Sequence, residues 1–380
     1  MIQGSIHLTL LMGPVVPVPA PRVVIDALQS VTVTTAAGSA SGFQMQFSFN
    51  SSSELNTLFV IAPALSSSVA TPPLRILLIV TVNGLPTPLF DGVMTNVQVQ
   101  AGQNGSPGTV NVTGDDLTKV MDTQEFDGLP YPAMPIAARV ALICAKYAAY
   151  GIIPLPIPEI FLDVPIPVEK IPAQQGTDLN YIKQLAEEVG HVFYIEPGPA
   201  PGTNIAYFGP EIKVGVPQPA LNVDMGPHTN VESLNFSFDP GKGVLPIVFI
   251  QNQMTRVPIP LPIPNLNPLQ PPLAALSTTL SNIKILKDTA KMSPAKALSK
   301  GLKEAAKSQD SVTATGNLDV LRYGRLLKAR QLVGVRGVGL AYDGLYFVKS
   351  VTNTLKAGEF KQSFELTRNG LISLTPTVPA

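Results

Sequence analysis

The chain has 380 residues, 26 Lys+Arg against 26 Asp+Glu, and 45% apolar residues, so it is long and apolar enough to bury several sizeable cores and is not a disordered polymer. Its single cysteine, Cys144, excludes a disulfide framework and any cysteine-rich metal site, and points to maturation in a reducing compartment. His7, His191 and His228 stand apart with no HxxxH or CxxC spacing, so no metal is expected.

The first charge is Arg22, and prolines at 14, 17, 19 and 21 follow a short apolar run, which is a poor secretory leader. No segment offers the roughly 18 uninterrupted apolar residues of a spanning helix, and synthesis in the bacterial cytoplasm is expected. The neutral total hides an asymmetry. Residues 1–250 carry 9 Lys/Arg against 19 Asp/Glu, and residues 251–380 carry 17 against 7. Acidic and basic surfaces of neighbouring subunits would fit this pattern, and so would simple solvation. The lysine-rich stretch 284–307 has no interleaved aromatic for base stacking, so direct nucleic-acid binding is not expected.

Residues 1–113 read as a β-domain. Phe43, Met45, Phe47 and Phe49 alternate with Gln44, Gln46 and Ser48, the period of a strand with one buried face. Arg75 to Val82 forms a second strand, which Asn83-Gly84 turns. Asp91-Gly92 reads as a further turn leading into Val93 to Gln100, where Asn96, Gln98 and Gln100 share a polar face. From residue 114 the pattern becomes helical. Met134 to Tyr150 is one helix; a second has Thr177 as N-cap, an apolar face of Leu179, Ile182, Leu185, Ala186 and Val189, and Gly190 at the left-handed C′ position. His191 to Ile195 follows as a strand. Glu187 and Glu188 project about 100° apart on a helix and cannot face one substrate as a catalytic pair.

Ile205 to Phe208, Glu211 to Val214 and Val231 to Phe238 read as strands returning to the first β-domain. Pro258, Pro260, Pro262 and Pro264 then alternate with Ile and Leu, which forces an extended or polyproline-II path and forbids a central strand; Pro154, Pro156, Pro158, Pro165 and Pro167 make a similar pattern earlier. Residues 279–309 form a basic helical segment, broken near Pro294 and bearing Lys296, Lys300, Lys303 and Lys307. Beyond it Gly334, Gly337 and Gly339 bend the chain and Asp343-Gly344 signals a tight hairpin. Leu345 to Leu355 alternates, Gly358 turns, and Phe360, Phe364 and Leu366 share one face.

The C-terminal spelling, a DGLY strand followed by GEFKQSFELTRNG, closely resembles the end of the phage late control D family, the baseplate hub proteins of contractile tails and related injection systems. LFDG after the Asn-Gly turn, NVTGDDLTKVMD and TDLNYIKQLAEEVGHVFYIEPG resemble the same family. So does the passage Asn222, Asp224, Gly226, Thr229, Asn230, Val231, Ser233, Leu234, Phe236, Ser237 and Asp239. Together these cover about residues 40–250 and 312–372. The resemblance implies a mainly β (α+β) fold of two tube-protein-like β-barrels with an α/β insertion and a Pro-rich bridge. Its divisions are 1–113 for the first barrel, 114–200 for the insertion, 201–253 for a return to the first barrel, 254–311 for the bridge with its basic helical segment, and 312–380 for the second barrel.

The implied function is that of a structural hub, a virion or injection-particle component that adapts a hexameric inner tube to a trimeric spike. Its implied partners are two further copies of itself as a homotrimer, the tube protein, a separate trimeric spike protein and other baseplate proteins. Gln44, Gln46, Asn96, Gln98 and Gln100 are then candidates to face the tube lumen. No GxSxG, HExxH, P-loop or Cys–His arrangement is present, so neither catalytic residues nor a cofactor are expected. A tail-associated cell-wall hydrolase would need such a site. A membrane β-barrel, the other rival, would show many strands of about ten residues with an apolar outer band.

Overall fold

The computed structural model describes residues 6–49, 59, 72–102, 107–159, 171–251, 257–264, 269–277, 282–287, 294–307, 310–375 and 378. Period-two patterning dominates them, and the chain is mainly β. The first lobe contains β1 (Ile6–Gly13), β2 (Val18–Pro19), helix α1 (Arg22–Ala27), β3 (Leu28–Ala36), β4 (Gly42–Phe49), β5 (Arg75–Val82), β6 (Leu85–Gln100) and β7 (Gly108–Asp116). All its pairings are antiparallel. Phe43, Met45 and Phe47 of β4 meet Ile76, Leu78 and Val80 of β5 in its interior, and Val24 of α1 joins them. Asn83 and Gly84, at φ 51° and 83°, make the two-residue turn between Val82 and Leu85. Both central positions need positive φ, which is why Asn-Gly occurs there.

Asp91 and Gly92 are not a turn. Both lie inside β6, opposite Leu77 and Ile76 of β5. Asp91 is a buried acceptor: Arg75 donates to it through Nε (2.8 Å) and Nη2 (2.6 Å), and Asn204 through Nδ2 (2.8 Å). Gly92 is required by packing, because a Cβ there would stand 2.2 Å from the carbonyl oxygen of Asp115.

The insertion comprises α2 (Ile136–Ala145), β8 (Ile152–Pro156), α3 (Asp178–Val189), β9 (Val192–Pro197) and β10 (Asn204–Gly209). Its strands order as β8-β10-β9, with β8 parallel to β10, and it buries a core of its own around Val140, Ile143, Ile182, Leu185 and Phe208. Thr177 Oγ1 accepts from Asn180 N at 3.2 Å to start α3, and Gly190 ends it at φ 72°. Arg75 ties this unit to the first lobe. Besides Asp91 it reaches Val15 O (2.7 Å) and Gly202 O (3.1 Å), and its guanidinium lies 5.9 Å from the Tyr150 ring.

After β10 the chain does not return to the first lobe. Strands β11 (Gln218–Asn222) and β12 (Val231–Phe238) belong to the second, where β11 pairs with β18 and β12 with β17, as located below. Alternation shows that a strand forms without saying which strand it will meet. The bridge follows as β13 (Val244–Gln251), β14 (Pro258–Pro262), β15 (Ala274–Ser277), β16 (Asn282–Ile285) and α4 (Pro294–Lys307). Three of these strands order as β14-β13-β16, and α4 packs on them through Ala297, Leu298 and Leu302 against Val248, Ile250 and Ile263.

The alternating prolines occupy an edge strand. With Pro258, Pro260 and Pro262 unable to donate, Ile259 and Leu261 supply the N–H groups for the ladder to β13, and the outer edge is blunted. Pro294 begins α4 rather than breaking it. The basic segment docks within the chain: Lys303 Nζ donates to His191 O (2.8 Å) and approaches Glu187 (3.4 Å), and Lys284 pairs with Glu304. The side chains of Lys296 and Lys307, and residues Pro165 and Pro167, lie outside the described residues.

The second lobe is completed by β17 (Val312–Asp319), α5 (Val320–Tyr323), β18 (Leu332–Arg336), β19 (Gly344–Lys356), β20 (Glu359–Arg368) and β21 (Gly370–Ser373). Asp343-Gly344 is not a two-residue turn here. The connection between β18 and β19 runs from Gly337 to Asp343, Asp343 Oδ1 accepts from Val338 N (2.9 Å), and Gly344 opens β19 at φ 123°. Arg368, fully buried, holds this loop from beneath by donating to Ala341 O (2.7 Å), Asp343 O (2.9 Å) and Gly370 O (2.8 Å). Its neighbour Asn369 accepts from Leu273 N (2.8 Å) and Ala274 N (3.0 Å), fastening β15, which pairs with β21. The Arg-Asn-Gly spelling thus serves a loop on one side and the bridge on the other.

The two expected barrels are joined. Ser350–Lys356 of β19 pairs antiparallel with Ser30–Ala36 of β3, so among the described residues one 13-stranded sheet follows the path β12-β17-β20-β19-β3-β4-β7-β6-β5-β1-β2, with β18 and β11 branching from β19. Apolar side chains of both lobes form one cluster, in which Phe43 and Met45 belong with Val351 and Phe364. In the second lobe the outlying strands β11 and β12 are tied by Asn230. Its N–H donates to Asn222 O (3.1 Å), its Oδ1 accepts from Asn222 N (2.8 Å), and its Nδ2 donates to Ala220 O (2.9 Å).

Asp91→Leu should destabilise the protein by about 3–5 kcal/mol in chemical denaturation, because it strands a buried guanidinium, while Arg75→Met combined with Asp91→Leu should recover much of that loss. Equal losses in the single and double variants would refute the pair's role. Gly344→Val should cost at least about 2 kcal/mol, since it combines positive φ with a Cβ placed 2.1 Å from Ser373 Cβ. A parent-like melting temperature would contradict that packing.

Candidate functional site

The inward turn of Phe43, Met45 and Phe47 sends Gln44 and Gln46 to the opposite face of β4. Register then decides their neighbours. Gln44 and Asn96 lie on either side of Thr113, Gln46 and Gln98 on either side of Asn111, and Ser48 and Gln100 on either side of Thr109. All five residues expected on a polar face are brought together. Gln44, Asn96, Gln98 and Gln100 are exposed; Gln46 is half-buried and accepts from Ser30 Oγ at 3.4 Å.

The face does not stop at the first lobe. Thr32 of β3 stands between Gln44 and Thr354 of β19, and Thr34 opposite Thr352, their hydroxyl oxygens 3.1 Å apart. Thr352 in turn faces Ser363 of β20, which faces Asn317 of β17, which faces Ser233 of β12. Eight adjacent strands, β6 through β12 along the sheet path, therefore present one polar surface, mostly of amides and hydroxyls, with Lys361 and Glu365 of β20 on the same side. At about 4.8 Å per strand it spans about 34 Å. A shallow depression of about 290 Å³ indents it where Ser233, Thr315, Asn317, Thr352 and Ser363 meet. Charges near it are matched, Lys349 by Glu365 at 2.7 Å and Lys361 by Glu232 at 3.0 Å and Glu359 at 3.2 Å.

Such a surface is well hydrated, donates and accepts hydrogen bonds everywhere, and has no strong field of either sign. The half contributed by β19, β20, β17 and β12 was missed in the sequence. Ser350, Thr352 and Thr354 carried the alternation, but the pairing of β3 with β19 joins residues more than three hundred positions apart.

Cys144 and Asp178 are engaged in structure. Burial, reinforced by Asp178, pushes the Cys144 thiol up to about 12. Asp178, fully buried, accepts from Lys146 (3.1 Å), Tyr147 (2.9 Å) and Gln174 (2.7 Å) at the start of α3. Among the described residues there is no cluster of three or more His, Cys, Asp or Glu able to hold a metal ion, and no helix long and apolar enough to cross a membrane. Because the polar face stands clear of the core, Gln98→Lys and Thr352→Lys should each change stability by no more than about 0.5 kcal/mol in denaturant titration. A larger loss would show that the face is packed rather than solvated.

No protein-family model and no curated protein matches the chain. Solved structures do. The tail protein from Neisseria meningitidis superposes with a TM-score of 0.62 at 13% identity, over 97% of this chain and 98% of that one. The 43 kDa tail protein of prophage MuSo2 from Shewanella oneidensis gives 0.59 at 13% identity, over 95% and 98%. A lidded PdpA-VgrG complex from Francisella gives 0.60 at 8% identity, over 99% of this chain and 54% of that chain. The chain therefore has the fold of phage tail proteins, the structural class to which its resemblance to baseplate hubs points.

Proposed function

We propose that this protein is a structural hub in the baseplate of a phage tail or contractile injection system, where a homotrimer joins a hexameric inner tube to a separate trimeric spike. The observation that carries this reading is the polar face running across both lobes, whose charges on β20 are paired with neighbours. Three chains with two lobes each supply six similar units, the number a sixfold tube requires, while the chain itself keeps the threefold symmetry a trimeric spike requires. The sheet path ends at β12 and β2, and joining such ends between neighbours closes a ring and covers its edges. The amide and hydroxyl surface then lines the lumen, where a neutral hydrated wall lets cargo pass without binding it. Assembly with tube, spike and other baseplate proteins follows cytoplasmic synthesis.

Imaging of the assembled particle at the tube–spike junction should show three copies of this chain, two lobes each, with Gln44 and Thr352 facing the axis. Six copies, or the polar face turned outward, would overturn the proposal. Particles carrying Gln98→Lys together with Thr352→Lys should assemble in normal numbers and lose most of their delivery of cargo. Undiminished delivery would remove the lumen from the account.

A further inference from the structure

The turn that ends α3 is where the bridge is fastened to the insertion. Gly190 approaches α4 so closely that a Cβ there would stand 2.5 Å from Ser299 O, and Lys303 Nζ donates to His191 O at 2.8 Å. At this contact the His191 ring is buried, 4% exposed, and meets the Phe208 ring edge-on at 5.1 Å. Its Nδ1 is buried and has no hydrogen-bond partner in the protein. A neutral imidazole tolerates such a place. An imidazolium, with a charge and two N–H donors, is costly there.

The charged groups that share a cavity wall with His191 do not offset that cost. Each carboxylate among them already has a partner: Glu187 faces Lys303 at 3.4 Å, Glu211 and Asp310 lie 3.9 Å and 2.7 Å from Lys213, and Asp116 accepts from Ser41 N (2.9 Å) and Thr118 N (3.0 Å). The others, Lys183, Arg330 and Lys349, are cations like Lys303. Burial keeps the phenols of Tyr194 and Tyr207 protonated and neutral. Burial, with Lys303 nearby, likewise lowers the His191 pKa from 6.5 to about 4.

The element on the other side of the contact is the one least held by the rest of the fold. Among the described residues α4 belongs to the smallest of three apolar clusters, in which Ala297 joins Val248, Ile263 and Leu286, apart from the clusters of the joined sheet and of the insertion. A unit with so few buried apolar contacts opens before the sheet does. Opening that returns His191 to water restores its ordinary pKa, so the open form binds the extra proton. The contact is therefore strongest above about pH 6.5, weakens as pH falls and levels off below about pH 4. Between pH 7 and pH 5 this linkage raises the opening equilibrium about twentyfold.

We propose that the junction of bridge and insertion is an acid-sensitive latch, in which protonation of His191 frees α4 from the end of α3 while the joined sheet stays folded. The test is amide hydrogen exchange of the full chain, corrected for the intrinsic effect of pH. Opening of residues 297–302 should rise about twentyfold from pH 7 to pH 5, while the amides of β3 and β19 keep their protection. His191→Phe keeps a ring against Phe208 and removes the titration, so its rise should be less than about threefold. Because that variant alters a buried side chain, NMR titration of His191 in the parent gives a second reading, with a midpoint below about pH 5. A midpoint near the ordinary value, a rise in His191→Phe comparable to the parent's, no rise in the parent, or equal loss of protection in β3 and β19 would each overturn the proposal.

Discussion

The pairing of β3 with β19 is the constraint on which the rest of the structure depends. Seven residue pairs join a strand near the amino terminus to one near the carboxyl terminus, and two lobes become one sheet. Each side of that sheet has its own consequence. Inside, the apolar residues of both lobes merge into a single core. Outside, hydroxyls and amides meet across the seam, so the polar surface is continuous rather than two separate patches.

The remaining units are fastened to this sheet or to one another by cations that work in different ways, Arg75 and Arg368 buried and Lys303 half-buried. Arg75 holds the insertion by matching Asp91 while reaching carbonyls on two other segments. Among the described residues Arg368 has only carbonyl oxygens for its hydrogen bonds, and a ring face 4.4 Å away, so its charge is stabilised by oriented dipoles. Lys303 caps a carbonyl at the junction of bridge and insertion. Removing Arg75 or Arg368 leaves partners without hydrogen bonds in a low-dielectric interior, which is why such positions tolerate little. The polar outer face is the opposite case, because water replaces every contact it loses.

Local geometry was legible in the sequence wherever a residue's own backbone or side chain decides it. Asn83-Gly84 must turn, Thr177 and Gly190 must bound a helix, and alternating prolines must sit at an edge. The two aspartyl-glycine pairs show the limit of that logic. Asp91-Gly92 and Asp343-Gly344 have the composition of tight turns, yet Gly92 answers to the close approach of Asp115, Gly344 to that of Ser373, and Asp91 to Arg75. None of those partners is nearby in sequence. The same blindness sent β12 to the first lobe and hid the seam, because a period of two specifies a face and not a neighbour. The candidate lumen residues of the first lobe were visible as alternation; their continuation in β19, β20 and β17 needed the seam.

The seam can be tested directly by introducing Thr34→Cys and Thr352→Cys together, since the two positions are directly paired and the native cysteine is buried. Under mild oxidation the account predicts a disulfide within one chain, seen as a faster-migrating band that reverts on reduction and forms equally in dilute protein and in assembled particles. Failure to cross-link, or cross-linking only between chains, would place β3 and β19 in separate bodies and contradict the single continuous face.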